Sequence, residues 1–370
     1  MVSISNKPGE RFIFFDALRG LAIIWIAVFH MTFQAFSDQP TLNIPILITP
    51  YILEAGYGGV LLFFIISAFL LCHMMTIRQA EQKTLLSFYI RRFFRIAPLF
   101  YTLLIYQVLY NAVLLGKHHS IFEIAVNILF IFNIIPGMNQ GIVSAGWFIG
   151  VIMLFYLFFP LFHKYFNDTW KTATFIIWSI LISYVFSIAL NIFPATPNPF
   201  FSYIYYRMSF LHNLPLFAFG MFSFYLLRMP FMQKLNIKVV GIFLVGAALL
   251  SYVYFLNGML NILDPYYIRG IILTALVVGL ALNPLKIVVN KITTFLGKIS
   301  YSMYLCHTPL IVLLNPLYQH IYILQIPLLL KFLLCAGVTI TLLIGVSFIT
   351  YRFIEKPGIR LGKKLLKSRI

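Results

Sequence analysis

Charged residues are scarce in this 370-residue chain: they make up 10% of it, with 27 lysines and arginines against nine aspartates and glutamates. Hydrophobic residues make up 61%, more than a soluble chain of this size needs for its core. The apolar runs are continuous and about 17–25 residues long, which predicts membrane-spanning helices rather than the alternating strands of a barrel. The composition therefore predicts an all-α, polytopic membrane protein.

The net charge of +18 does not by itself indicate a nucleic-acid-binding protein. A strongly basic chain can bind nucleic acid, but lysines and arginines of membrane proteins collect in the cytoplasmic loops. We therefore expect no nucleic-acid partner. The bilayer itself is the partner that the composition predicts.

Several chemistries lack their sequence signatures. The three cysteines, Cys72, Cys306 and Cys335, lie in apolar stretches without a paired framework, so we expect inert packing residues. No HExxH-type cluster and no serine nucleophile elbow occurs, so we expect no metal. We also expect no cleavable signal peptide, because the first apolar run holds an arginine and a histidine and lacks a small-residue cleavage site.

Eleven apolar runs follow one another along the chain. They cover about 12–36, 51–75, 98–115, 120–136, 146–163, 172–193, 208–227, 239–257, 267–283, 299–316 and 325–353. Basic residues precede the first run, fill the segment 78–95 and return after the last run, whereas 37–50 has neither lysine nor arginine. The positive-inside rule places the basic segments in the cytoplasm.

The alternation of basic and non-basic loops is consistent only if one of the runs 98–115 and 120–136 does not cross. The second run is shorter and contains Glu123, Asn127 and Asn133. We therefore expect about ten transmembrane helices plus one re-entrant or interfacial segment, with both termini cytoplasmic. Residues 1–357 are expected to form a single membrane domain, followed by a basic cytoplasmic tail over 358–370.

The first run carries ionisable residues that are costly within a bilayer and usually line a functional path there. Arg19 and His30 are eleven positions apart. That spacing puts them about 16 Å apart along a helix and within about 20° of the same face. His30 is then a candidate general base that takes a proton from an alcohol; the alternative is an interior histidine that only forms hydrogen bonds. His307, in the tenth run, is a second candidate.

A basic cluster lies at the start of the third run. Arg92 and Arg95 have i,i+3 spacing, which suits a clamp on the phosphates of a polyanion, although positive-inside anchoring explains most such arginines. Cations at a helix N-terminus oppose the helix dipole, which favours a functional reason for them. Near the end of the last run, Arg352 and Glu355 have the spacing of a structural ion pair.

Six motifs in order resemble the acyltransferase 3 family of integral membrane acyltransferases, which O-acylate cell-surface carbohydrates. They are FDALRGLAIIWIAVFH at 15–30, with the family's Arg-x10-His signature at Arg19 and His30, and then GGVLLFFIISAFLL at 58–71, RRFFRIAPLFY at 91–101, WFIGVIMLFYLFFP at 147–160, KISYSMYLCHTPLI at 298–311 and YRFIEKP at 351–357. The resemblance covers nearly the whole chain.

The resemblance implies a donor and an acceptor on opposite sides of the inner (plasma) membrane. Acyl-CoA, usually acetyl-CoA, would enter from the cytoplasm, and its phosphates would meet the donor-binding residues Arg91, Arg92, Arg95 and Ser67. Arg19 would line the path, and His30 would act as base or pass the acyl group on. The acceptor would be a hydroxyl of an extracytoplasmic or lipid-linked glycan. This domain would complete the transfer or hand the acyl group to a separate extracytoplasmic transferase.

The chain departs from the family pattern where acids are common. Leu61 stands after the Gly-Val of the second helix, Ile152 follows the tryptophan of the fifth helix by five positions, and Ala68 replaces a glycine. An acid that supports His30 is therefore missing from its usual places. Glu54 and Asp264 are possible substitutes near the outer face, and our hypothesis is that Glu54 supports His30 in catalysis.

The sequence is also compatible with two other functions. A transporter or flippase of an acyl donor or lipid-linked sugar would also need buried ionisable residues, although no internal repeat is detectable. An acyltransferase that modifies a lipid, an amino group or a peptide would share the donor-side motifs. Arg207 and Arg269, near the outer ends of two runs, would then recognise an anionic acceptor or serve as snorkelling anchors.

Overall fold

The computed structural model describes residues 12–36, 49–77, 84–234, 236–256 and 264–367. These ranges are helical and contain no β-strand. The helices are α1 Ile13–Phe36, α2 Thr49–Ile77, α3 Thr84–Leu114, α4 Ile121–Ile128, α5 Trp147–Tyr165, α6 Thr169–Ile192, α7 Pro199–Met208, α8 Phe210–Leu226, α9 Pro230–Lys234, α10 Ile237–Leu256, α11 Pro265–Leu282, α12 Lys291–Lys298, α13 Ser300–Ile323, α14 Leu328–Thr350 and α15 Lys356–Lys367, with a 3-10 turn at Phe132–Ile134 and a π-helical turn at Tyr351–Glu355.

Eight helices within the described ranges are long and apolar enough to cross a membrane. They are α1, α2, α3, α5, α6, α10, α11 and the continuous helical segment from Leu328 to Lys367. The all-α polytopic class is therefore confirmed. The total of ten spans and the cytoplasmic position of both termini stay predictions.

The structure shows which of the runs 98–115 and 120–136 is too short to cross the membrane. The run 98–115 lies inside α3, a helix of 31 residues. The run 120–136 forms only α4, of eight residues, and a 3-10 turn of three residues. An eight-residue helix is about 12 Å long, far short of the ~30 Å hydrocarbon core of a bilayer. The shorter, more polar run is thus too short to cross as a helix.

The chain divides into two compact units, which we name by the residues of interest that they hold. The arginine unit contains the described residues 64–237 and 354–367, and the histidine unit contains 12–63 and 238–353. Helix α2 contributes to both, with the division after Phe63. Each unit is described by itself below.

In the histidine unit, α1 packs against α12, α13 and α14. Glycines allow the closest approaches: a Cβ on Gly20 of α1 would lie 2.2 Å from the Thr293 carbonyl oxygen, and one on Gly297 of α12 would lie 1.8 Å from the Asp16 carbonyl oxygen. Small residues at such crossings let helix backbones pack closely within a membrane. The backbone contact fixes the position of the first turns of α1, next to Arg19.

In the arginine unit, α8 packs against α6, α5 and α7. The rings of Phe155 and Phe217 stack with centroids 3.7 Å apart. The basic tail expected over 358–370 holds a helix, α15, which packs on α3. A Cβ on Gly358 would lie 2.5 Å from Cγ of Pro98, and one on Gly362 would lie 2.7 Å from Cβ of Phe94. Two glycines one helical turn apart therefore bring α15 against the part of α3 on either side of Arg95.

Candidate active site

Helix α1 carries Arg19 and His30 on one continuous helix, as the spacing of the two residues predicts. Both side chains are half-buried, and Asp16, three residues before Arg19, is buried. The His30 ring lies edge-on to Phe29, with centroids 5.0 Å apart. The first helix of the histidine unit thus places an imidazole among apolar side chains.

The structure brings the second candidate histidine to the first. The ring centroids of His30 and His307 are 4.9 Å apart, with 39° between the ring planes. His307 lies on α13, which packs against α1, and its side chain is fully buried. Two imidazoles from helices far apart in the sequence therefore form one site in the histidine unit.

The hydrogen bonds of His307 indicate which of its two ring nitrogens donates and which accepts. Its Nδ1 lies against the carbonyl oxygen of Tyr304. A carbonyl oxygen only accepts, so Nδ1 donates, and in the neutral imidazole Nε2 is the acceptor. The Thr308 hydroxyl, 3.1 Å from Nε2, then donates to it. With both ring nitrogens of His307 bound to protein groups, His30 is the better placed imidazole to act on a substrate.

The two acids considered as partners of His30 differ in what the structure shows of them. Asp264 precedes α11 and caps it, with its carboxylate accepting a hydrogen bond of 2.8 Å from the Tyr266 N–H. Glu54 lies in α2, but its side chain is outside the described part of the structure. Two residues later, a Cβ on Gly56 would lie 2.1 Å from Cβ of Phe29, the neighbour of His30 in the chain. The backbone that follows Glu54 therefore packs against Phe29, the residue before His30.

The family's usual acid positions hold buried apolar residues here. Leu61 is 1% exposed in the histidine unit, and Ile152 is 4% exposed in the arginine unit. Ala68 of α2 faces α8, since a Cβ on Gly220 would lie 2.8 Å from Cβ of Ala68 and 2.2 Å from the Ile65 carbonyl oxygen. Ser67, the candidate donor-binding serine, is buried in the same stretch of α2.

The arginine unit holds Arg91, Arg92 and Arg95 on α3, all half-buried. Arg92 lies between two aromatic rings, with Cζ 5.8 Å from the Phe88 centroid and 5.6 Å from the Tyr156 centroid. Arg91 donates from Nε to the Ser87 carbonyl oxygen at 3.3 Å. Cation–π and backbone contacts thus hold the two guanidinium groups in place.

The argument from the helix dipole is wrong for these arginines. Helix α3 begins at Thr84, so Arg91 and Arg92 lie about two turns inside it. The field of the dipole acts within the first turn of a helix. The positions of the two arginines are therefore not disfavoured by the dipole, and no functional reason follows from it.

Arg95 is paired with an acid. Its Nη1 lies 3.6 Å from Oε1 of Glu355, whose side chain is fully buried, while the Arg95 side chain is 38% exposed. The predicted i,i+3 pair of Glu355 with Arg352 does not form; Cζ of Arg352 lies 5.8 Å from the Phe353 centroid instead. Residues 351–355 form a π-helical turn, which is wider than an α-helical turn and takes residues three apart off the same face.

A double-mutant cycle tests the Arg95–Glu355 pair. We expect Arg95→Met and Glu355→Met each to lower the free energy of unfolding by about 1–3 kcal/mol, below the 3–5 kcal/mol of fully buried pairs because Arg95 is partly exposed. The double variant should recover most of that loss, since no uncompensated charge stays buried. Thermal unfolding in detergent measures all four proteins. Additive losses in the double variant would show that the two side chains do not interact.

Arg269 is not the snorkelling anchor that was one of its two expected roles. It is 8% exposed and lies between the rings of Tyr57 and Phe255, with Cζ 4.9 and 4.6 Å from their centroids. A snorkelling arginine keeps its charged group in water, whereas this guanidinium is buried between aromatic faces. Arg207 lies on α7, half-buried, with Cζ 6.0 Å from the Tyr203 centroid.

The cysteines behave as the sequence predicts. Cys72, Cys306 and Cys335 are all buried. Among the described residues, no three histidines, cysteines, aspartates or glutamates lie together in a way that could hold a metal ion.

Comparisons with known proteins agree with the family resemblance of the sequence motifs. A family model of the type acyltransferase 3, described as an acyltransferase domain, matches residues 12–350. The chain is similar to "Putative O-acetyltransferase SACOL0978" of Staphylococcus aureus strain COL, at 26% identity over 384 residues, covering 96% of this chain and 58% of that protein. It is also similar to O-acetyltransferase OatA of Staphylococcus aureus strain NCTC 8325, at 25% identity, covering 94% of this chain and 57% of that protein.

These matches cover different shares of this chain and of its relatives. They cover nearly all of this chain, yet the chain spans less than two thirds of the length of the curated relatives. No solved structure matches the chain. The likeness therefore concerns only part of the length of these relatives.

Proposed function

Since this chain belongs to the acyltransferase 3 family, we propose that it is a membrane O-acetyltransferase that moves an acetyl group from cytoplasmic acetyl-CoA to a hydroxyl of an extracytoplasmic or lipid-linked glycan. The membrane-spanning helices make it a multi-pass membrane protein, for which we propose the inner (plasma) membrane. The names of its relatives support acetyl as the transferred group. The observation that carries the proposal is the pair of His30 and His307.

In the proposed reaction, His30 takes the proton from the acceptor hydroxyl. The oxygen then attacks the thioester carbonyl of acetyl-CoA, an oxygen–carbon bond forms, and the carbon–sulfur bond breaks. The proton returns to the sulfur that leaves as coenzyme A. His307 is a positioning residue in this scheme: Tyr304 and Thr308 hold its ring, and its ring packs against that of His30. A general base of this kind contributes about 10²–10⁴-fold to a rate.

For the donor, we propose that Arg91, Arg92 and Arg95 bind the phosphates of coenzyme A, with Ser67 as a further polar group. Three guanidinium groups lie close together along α3, and the one on Arg95 lies 3.6 Å from the Glu355 carboxylate. Arginine suits phosphates because its planar group makes paired hydrogen bonds. Arg19, in the histidine unit, is proposed to line the donor path.

Membranes that contain the protein test the function directly. Acetyl-CoA with a labelled acetyl group is added on the cytoplasmic side, and labelled O-acetyl esters on surface or lipid-linked glycans are measured by mass spectrometry. We expect ester formation that depends on the protein. If no ester forms while an acyl donor or a lipid-linked sugar moves across the bilayer, the protein is a transporter. Glycans that carry esters only when a second protein is present would identify a separate transferase partner.

We expect Glu54→Gln to lower kcat by about 10- to 100-fold, the loss that follows when a carboxylate that orients a metal-bound histidine is removed. The reason is that Glu54 is proposed to hold the His30 ring and to stabilise the imidazolium that forms. Asp264→Asn is the matched control: it is the same change from acid to amide, asparagine also caps helices, and activity should persist. The measurement is the rate of acetyl transfer at saturating donor. Full activity of Glu54→Gln removes Glu54 from the mechanism.

A further inference from the structure

A cavity of about 400 Å³ lies in the arginine unit. Three segments line it: the end of the α3–α4 connection with the first turns of α4, the loop over residues 137–142, and the residues around the start of α7. The volume falls within the range of about 300–1,000 Å³ that is usual for small-molecule sites. None of the residues given a role above lines it.

The walls of the cavity are built by a specific hydrogen-bond arrangement. Asn127 of α4 donates from Nδ2 to the Glu123 carbonyl oxygen at 2.8 Å, and its Oδ1 accepts from the Ile142 N–H at 2.9 Å. Gly141 has a φ of +75°, a conformation that favours glycine, and a Cβ there would lie 3.0 Å from Asn127 Oδ1. These contacts join the loop 137–142 to α4, so the cavity is formed before any ligand arrives.

One buried polar group in this cavity has no protein partner within the described ranges. Asn139 is 5% exposed, and its Nδ2 forms no hydrogen bond with a described residue. A buried donor left unsatisfied costs about 1–3 kcal/mol, so proteins retain few of them. A ligand with an acceptor oxygen would satisfy this group.

The charges around the cavity balance. The Glu123 carboxylate accepts a hydrogen bond of 2.9 Å from the Ser120 N–H at Oε2 and lies 3.5 Å from His119 Nδ1. That N–H, together with His119 and Lys117, holds the pKa of Glu123 below its usual value, so the carboxylate is ionised at neutral pH. Lys117 lines the same cavity with the opposite charge. A cavity with one cation and one anion suits an uncharged ligand with many hydroxyls.

An aromatic ring completes the lining. Phe201 of α7 is 55% exposed and borders the cavity, as does the exposed Gln140. Sugar rings present one apolar face of C–H groups and a rim of hydroxyls that both donate and accept. An aromatic face, a carboxylate, two amides and an ammonium are the complementary set.

We propose that this cavity binds one sugar unit of the acceptor glycan, with Asn139, Gln140 and Glu123 at its hydroxyls and Phe201 against its apolar face. The inference rests on the proposed function, since an O-acetyltransferase must hold a hydroxyl-bearing acceptor. The charge pattern of the sequence supports it, because the positive-inside rule places the loops 137–146 and 194–206 on the outer side.

The test uses the full chain in nanodiscs and measures saturation-transfer NMR from protein to sugar. The probes are glucose, galactose and N-acetylglucosamine at millimolar concentration. We expect a signal from at least one of them, reduced at least fivefold by Asn139→Leu and weakened by Gln140→Ala. Gln325→Ala is the matched control, an exposed loop glutamine of the histidine unit, and should leave the signal unchanged.

Unfolding temperatures separate loss of binding from loss of folding. Asn139→Leu removes no described hydrogen bond, so the unfolding temperature without sugar should not fall. No signal from any of the three sugars on the wild-type protein, or a full signal from Asn139→Leu, overturns the proposal. If acetyl esters still form in either case, the acetyltransferase function stands without this site. Sugar binding without any ester formation would instead support the sugar site and refute the acetyltransferase function.

Discussion

His30→Ala should lower the rate of acetyl transfer by about 10²–10⁴-fold, the contribution of a positioned general base. The protein should fold normally, because alanine is a good helix former and His30 is only half-buried on α1. The rate of labelled ester formation from acetyl-CoA is the measurement, at several donor concentrations so that kcat and KM are separated. The loss is expected in kcat, with KM for the donor unchanged.

Two further variants make this result specific. His320→Ala removes an exposed histidine near the end of α13, in the same unit, and should leave the rate unchanged. His307→Phe keeps a ring against His30 but loses the hydrogen bonds to Tyr304 and Thr308, so kcat should fall less than in His30→Ala. A normal rate in His30→Ala would exclude His30 as the base. A greater loss in His307→Phe than in His30→Ala would give the catalytic role to His307.

Gly297→Ala should destabilise the histidine unit more than a methyl group added at any of its other described glycines. The added Cβ would lie 1.8 Å from the Asp16 carbonyl oxygen, and ordinary contact begins only at 3.4 Å. Backbone cannot yield as a flexible side chain does, so α1 and α12 must separate by about 1.6 Å; overpacking of this kind costs about 1–3 kcal/mol or more. Because α1 carries Arg19 and His30, acetyl transfer should fall together with the unfolding temperature.

The control for this change is another helical glycine of the same unit. A Cβ on Gly337 of α14 would meet nothing within 4 Å, so Gly337→Ala should be neutral or stabilise the helix by up to about 1 kcal/mol. Both variants are compared by thermal unfolding and by transfer rate. Equal stability of the two variants would mean that the crossing of α1 and α12 is looser than described.

The sequence predicts features that depend on local periodicity. Apolar runs predict the long helices, and the spacing of Arg19 and His30 correctly places both on one helix, since 3.6 residues per turn is a local property. The short helices α7, α12 and α15 lie outside the predicted apolar runs, wholly or in most of their length. Hydropathy detects spans, whereas α12 and α15 are amphipathic and pack along one face only.

Contacts between distant residues were not predictable from spacing. His307 lies 277 positions after His30, and only the packing of α13 against α1 brings the rings together. The pairing of Glu355 with Arg95 rather than Arg352 depends on a π-helical turn, for which the sequence carries no clear signal. The cavity around Asn139 was not predictable from the sequence because its lining comes from three loops and two short helices, none of them with a motif.

The ion pair of Arg95 and Glu355 also sets an order of events during synthesis. The two residues are 260 positions apart, and α15, which follows Glu355, packs on α3. At about 5–20 residues per second, a ribosome needs roughly 13–52 s to reach the glutamate after the arginine. Throughout that interval the arginine cluster of α3 has no access to this carboxylate. The ion pair of Arg95 and Glu355 is therefore one of the last contacts to form during assembly.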